Sequence, residues 1–121
     1  MMEVAVFGAG RIGKIHAGNV VRQPGVKLRY VIDVDAAAAQ ALAAQLGAQV
    51  ATAEAALADK AVGAVVIGSS TDTHADLIQR SAAANKAIFC EKPVDLSVER
   101  ARACADAVAR TGVTCMIGFQ R

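Results

Sequence analysis

Short apolar runs alternate with longer segments of helical periodicity along the chain, and Pro, Gly or a small polar cluster marks most junctions. The runs Glu3–Phe7, Val26–Ile32, Gln49–Ala51, Gly63–Gly68, Lys86–Cys90 and Val113–Phe119 predict six strands. Between them, Arg11–Arg22, Ala36–Leu46, a brief helix capped by Thr52 or a residue beside it and ending near Ala58, His74–Ala84 and Val98–Arg110 predict five helical crossovers. Local punctuation agrees: Pro24-Gly25 stops the first helix, Asp35 and Ser97 suit N-caps, and Gly47 and Gly112 suit helix ends. In the last helix Val98, Ala101, Ala105 and Val108 predict the buried stripe. Strands that are apolar on both faces, alternating with helices, imply an α/β fold. The expected form is a doubly wound parallel sheet of six strands in the order 3-2-1-4-5-6, with helices on both faces.

Composition narrows the function classes. At 121 residues the chain has the size of one domain, and no repeat or linker divides it. A net charge of +2 with scattered Lys and Arg argues against nucleic-acid binding. No apolar run approaches the ~18 residues of a membrane span, and Met1–Gly10 lacks the basic start of a secretory signal. Cys90, Cys104 and Cys115 form neither a CxxC pair nor a metal-ligand cluster, so reduced structural thiols, no metal and a cytoplasmic location are expected.

The first strand ends in Gly8-x-Gly10-x-x-Gly13, which opens the first helix. Such a turn presents backbone N–H groups and the positive end of a helix dipole, a combination that binds phosphate. In this arrangement Gly8 serves the tight turn, Gly10 the approach of a pyrophosphate and Gly13 the packing of helix on strand. Glycines also fill tight turns for no other reason, so the spacing needs context. Asp33 provides it: an acid at the end of the second strand, about twenty positions further on, can accept hydrogen bonds from a ribose diol. Its charge would repel a 2′-phosphate, and neither Val34 nor Asp35 is an arginine, so NAD is expected rather than NADP. Ser69–His74 follows the fourth strand at the edge where ligands of open sheets bind. His74 reads equally as a ligand-side or a surface residue, and Thr71 and Thr73 as cofactor contacts or helix caps. Lys92, between Glu91 and Pro93 at the same edge, is either a solvated charge or a group that donates to, or relays a proton from, a substrate hydroxyl.

Three blocks, VFGAGRIGKIHA at Val6–Ala17, STDTHADLI at Ser70–Ile78 and FCEKPVDLSVERA at Phe89–Ala101, resemble the amino-terminal Rossmann domain of the Gfo/Idh/MocA oxidoreductases. GRIGKIHA followed by EKP is most similar to the inositol 2-dehydrogenase branch. The resemblance implies an NAD-dependent dehydrogenase of sugars or polyols. Gly8, Gly10, Arg11, Ile12 and Gly13 would form the pyrophosphate turn, with Asp33 on the adenosine ribose. Ser70, Thr71 and His74 would line the nicotinamide side beside Glu91. Lys92 would be the catalytic lysine, contacting the substrate hydroxyl and the nicotinamide ribose. The family continues past a GFxR-like strand into a second domain that holds the substrate and supplies an Asp and a His; this chain ends at Gly118-Phe119-Gln120-Arg121. Residues 1–121 are therefore expected to be the dinucleotide-binding domain alone, competent for NAD(H), incompetent for turnover and prone to self-association through uncovered apolar surface. A regulatory nucleotide-sensing module is the alternative, though it has no evident use for Glu91-Lys92-Pro93; a scaffold without cofactor fits the intact glycine turn poorly.

Overall fold

The computed structural model describes residues 2–91 and 97–118. Six parallel strands form one sheet: β1 (Met2–Phe7), β2 (Val26–Ile32), β3 (Gln49–Val50), β4 (Val62–Ile67), β5 (Ala87–Glu91) and β6 (Cys115–Gly118). Their order is β3-β2-β1-β4-β5-β6, as the alternating pattern predicts. The crossovers are α1 (Arg11–Arg22), α2 (Ala36–Leu46), α3 (Ala53–Ala58), α4 (Thr71–Ala83) and α5 (Val98–Thr111).

Most helix boundaries follow from local caps. Asp35 accepts from the Ala38 N–H at 3.1 Å, Thr52 from Ala55 at 3.1 Å and Ser97 from Arg100 at 3.4 Å. Gly47 and Gly112 close α2 and α5 in the left-handed conformation. Two helices, α1 and α4, start without a side-chain cap, and α4 begins at Thr71 and not at His74. Ser70, Thr71 and Asp72 are polar, but a first turn tolerates them because its N–H groups need acceptors.

Alternation along the strands divides the core between the two faces of the sheet. Val4, Val6 and Val31 meet Ala17 of α1 and Ala39, Leu42 and Ala43 of α2. Ala5, Phe7, Val65, Ile67, Ile88 and Cys90 meet Ala56 of α3, Ala75, Leu77, Ile78 and Ala82 of α4, and Cys104 of α5. The α5 stripe departs from expectation: Val98 is 71% exposed, and among the described residues of α5 Cys104 is the buried side chain. Burial pushes the Cys90 thiol up to about 12, so it stays an unreactive core group.

Two polar features brace the amino-terminal edge. Lys86, read from the sequence as the start of a strand, is buried and donates from Nζ to the carbonyls of Asp59 at 2.8 Å and Val62 at 2.7 Å. Between Val4/Leu28 and Ala5/Tyr30 the β1–β2 register shifts, which leaves Arg29 as the extra residue of a bulge. Its guanidinium reaches Asp59 at 2.7 Å and Glu3 at 3.1 Å, and the Tyr30 hydroxyl donates to the same Asp59 oxygen at 2.6 Å. The Tyr30 hydroxyl, the Ala61 N–H and Arg29 together hold the Asp59 carboxyl down at about 2. A depressed carboxyl contributes stability that is complete above its unfolded value near ~4 and is lost as pH falls through the folded value. We expect the urea midpoint to drop between pH 4 and 2 more steeply in the wild type than in Asp59→Asn; parallel curves would remove Asp59 from the acid transition.

Candidate nucleotide site

The carboxyl edge of the sheet forms where β1 turns into α1. Gly8 adopts φ +110°, a conformation open to glycine, and its N–H donates to the Ile32 carbonyl at 2.7 Å. A Cβ at Gly13 would lie 1.9 Å from the Gly8 oxygen, so helix and turn touch backbone to backbone. Gly10 differs from both. It sits at φ −79°, ψ −163°, extended backbone that any residue adopts, and among the described residues beyond its chain neighbours no atom lies within 4 Å of where its Cβ would be. The protein's own packing therefore gives no reason for glycine at position 10. Gly10 lines a cavity instead, and a glycine there keeps that wall open to a close ligand.

That cavity, about 620 Å³, runs along the sheet edge from the glycine turn toward α3 and α4. Its size falls in the range of small-molecule sites. Phe7 and Ile32 end the strands beneath it, and Gly8, Gly10, Gly68, Ser69 and Ser70 belong to the turns after β1 and β4. Val34, Ala53 and Leu77 supply an apolar wall, with Asp72, Thr73, Asp76 and Arg80 from α4. Val34 is fully exposed at 103%, an isopropyl group left in water at the cavity mouth. Arg80 is occupied by Glu54 at 3.0 Å and Asp76 at 3.4 Å.

Asp33 lies on the cavity wall and braces the turn at the same time. Its Oδ2 accepts the Ala9 N–H at 2.7 Å and its Oδ1 accepts the Asp35 N–H at 2.8 Å. Each carboxylate oxygen retains a second lone pair for a ligand hydroxyl.

Of the residues singled out from the sequence, Gly8, Gly10, Asp33 and Ser70 line this cavity together. Arg11 and Ile12 start α1 directly beside it, and Gly13 packs behind the turn. Thr71 is the first residue of α4. His74 is buried at 2% exposure with Nε2 against the Ser69 carbonyl at 2.8 Å, which places it inside the start of α4 and not on the surface. Glu91 ends β5, where one carboxylate oxygen pairs with His16 Nε2. Lys92 lies outside the described residues. Ala53, Leu77 and Arg80 carry no local mark of the cavity because their common trait is a tertiary address, and His16 stands in the glycine-turn block without a role that its spacing assigns. Among the described residues no group of His, Cys, Asp and Glu could hold a metal, and no helix is long and apolar enough to cross a membrane.

Comparison with known proteins gives this geometry a family. Inositol 2-dehydrogenase of Rhizobium meliloti (strain 1021) is 51% identical over 116 residues, which are 96% of this chain and 35% of that protein. The solved structure of a myo-inositol dehydrogenase candidate from Sinorhizobium meliloti 1021 superposes with a TM-score of 0.95 at 48% identity, covering 98% of this chain and 36% of that one. The scyllo-inositol dehydrogenase of Lactobacillus casei, solved with NAD(H) and scyllo-inositol, superposes with a TM-score of 0.89 at 25% identity over 98% of this chain and 36% of that one. The chain thus spans about a third of the length of the relatives it matches. The family profile described as oxidoreductase family, NAD-binding Rossmann fold, matches residues 2–119, and this chain belongs to that family, Gfo/Idh/MocA.

Proposed function

We propose that this chain is the NAD-binding domain of a dehydrogenase that moves a hydride between a secondary alcohol of an inositol-type polyol and NAD. The observation that carries the reading is Gly10, a glycine that the fold does not need and a pyrophosphate does. Gly8, Gly10, Arg11, Ile12 and Gly13 would hold the pyrophosphate at the start of α1, and Asp33 the adenosine ribose. Val34, Ala53 and Leu77 offer the adenine an apolar slot. The nicotinamide half then extends from the glycine turn past Ser70, which borders the cavity, and over the carboxyl ends of β4 and β5 toward Thr71, His74 and Glu91. NAD supplies the hydride acceptor when bound. Lys92 would contact the substrate hydroxyl, a role that its place in the Glu91-Lys92-Pro93 triplet supports.

The preference for NAD over NADP rests on Asp33; among the described residues lining the cavity the cation is Arg80, which already pairs with Glu54 and Asp76. Because the chain matches about a third of its relatives, the polyol contacts are assigned to the remaining two thirds, and residues 1–121 are read as one nucleotide-binding unit. Membership in the oxidoreductase family favours this reading over a nucleotide-sensing module. A cytoplasmic location and self-association belong to the same proposal. The second is supported by Met116, 61% exposed on the edge strand β6, and by Val98; a clean monomer in concentrated sedimentation runs would remove it. The primary test is fluorescence titration of the 121-residue protein with NADH and NADPH. Saturable NADH binding, tighter than NADPH, is expected; absence of binding for both would end the nucleotide reading.

A further inference from the structure

His16 is the residue of the glycine-turn block for which the nucleotide reading has no use, and its surroundings are built. Its side chain leaves α1 beneath Gly68, where an added Cβ would lie 3.4 Å from His16 Cδ2 and equally close to the Gly13 backbone. The ring then meets Phe89 edge to face, with centroids 5.3 Å apart at 66°. Nε2 ends on the Glu91 carboxylate, and the two side chains are 18% and 13% exposed. Among the described residues the other Glu91 oxygen, Oε2, is buried with no hydrogen-bond partner. In the strand order, β5 lies two places from β1, the strand that leads into α1. The pair therefore spans β4 and joins the pyrophosphate helix to the carboxyl end of β5.

We propose that His16 and Glu91 are a positioning pair: His16 holds the Glu91 carboxylate, and through it the end of β5, in the place that the nicotinamide half of the cofactor requires. This deepens the nucleotide reading and rests on it. Neither side chain lines the cavity assigned to adenosine, so the pair acts on one half of the ligand. Released from His16, a carboxylate at this edge would turn toward water and take the strand end with it.

The test compares NADH with ADP, which has the adenosine and pyrophosphate but neither the second ribose nor the nicotinamide. His16→Leu is expected to weaken NADH by about tenfold, the worth of one charge-assisted hydrogen bond, while ADP affinity stays within about twofold. His16→Gln keeps an N–H donor at similar reach and is expected to remain within about threefold of wild type for NADH. Circular dichroism and urea midpoints check the folding of each variant. Should His16→Leu not fold, His16→Ala breaks the pair from the same helix with a smaller side chain and must show the same split between NADH and ADP. Equal losses for the two ligands, or NADH affinity unchanged in a folded His16→Leu, would overturn the proposal. Wild-type protein that binds ADP but not NADH would overturn it as well and leave the adenosine half standing; wild-type protein that binds neither would overturn both readings.

Discussion

Gly10→Ala is expected to weaken NADH binding by roughly 5- to 150-fold, the effect of about 1–3 kcal/mol of overpacking, with little change in stability. The two halves of this expectation have separate causes. In the protein alone the new methyl group meets nothing within 4 Å, and φ −79°, ψ −163° suits alanine. Alanine lowers the entropy of the unfolded chain, which stabilises by about 0.4–1 kcal/mol. It is also a poorer N-cap than glycine for α1, which offsets much of that gain. In the complex, the methyl group occupies the wall against which the pyrophosphate must lie. Gly13→Ala is the contrasting control: a Cβ 1.9 Å from the Gly8 carbonyl oxygen cannot be placed without moving the turn or the helix, so both folding and binding should fail. Isothermal titration with NADH, paired with urea unfolding, separates the cases. A folded Gly10→Ala protein that binds NADH like the wild type would show that the ligand does not approach this wall.

This contrast also marks what a sequence can disclose. Three glycines at fixed spacing announce a turn, but only the folded backbone distinguishes Gly8 and Gly13, which it requires, from Gly10, which it does not. The strand order and most helix boundaries were legible because their causes are local: an apolar run, an Asp or Ser at the first turn, a glycine in left-handed conformation at the last. The start of α4 was hidden because Ser70-Thr71-Asp72 has the composition of a loop and the conformation of a first turn. Lys86 reads from the sequence only as the start of a strand, and nothing adjacent in sequence reveals the carbonyls of Asp59 and Val62 that hold its ammonium. Arg29 departs from strand alternation because a bulge re-aims it, and bulges leave no reliable mark on a short apolar run. The same holds for the site. Asp33 was found by its distance from the glycine turn, a covalent regularity of the βαβ unit. Leu77, Arg80 and the His16–Glu91 pair depend on how helices settle on the sheet, which one sequence does not spell out.

Asp33→Ala is expected to lower NADH affinity by roughly 100-fold or more, because a ribose diol loses up to two bonds to a carboxylate, each worth about 1.5–3 kcal/mol. The loss in ligand binding should reach at least the upper part of the Gly10→Ala range and, unlike that substitution, Asp33→Ala should register in stability. The Ala9 N–H, on a residue only 1% exposed, surrenders its acceptor at 2.7 Å, and an unsatisfied buried donor costs about 1–3 kcal/mol. NADPH should respond differently. It never gained the diol bonds at the phosphorylated position, and the substitution removes the charge that repels its 2′-phosphate, so the NADH-to-NADPH affinity ratio should fall. Asp33→Asn is not a neutral stand-in, since one side of its amide is a donor while both existing partners, Ala9 and Asp35, present N–H groups. Titrating both nucleotides against Asp33→Ala, with urea midpoints measured alongside, therefore distinguishes two roles that share one side chain. Reduced stability with unchanged NADH affinity would make Asp33 a brace for the glycine turn alone. A fall in the nucleotide ratio together with the loss of stability would show that the carboxylate which shapes the turn also selects the cofactor.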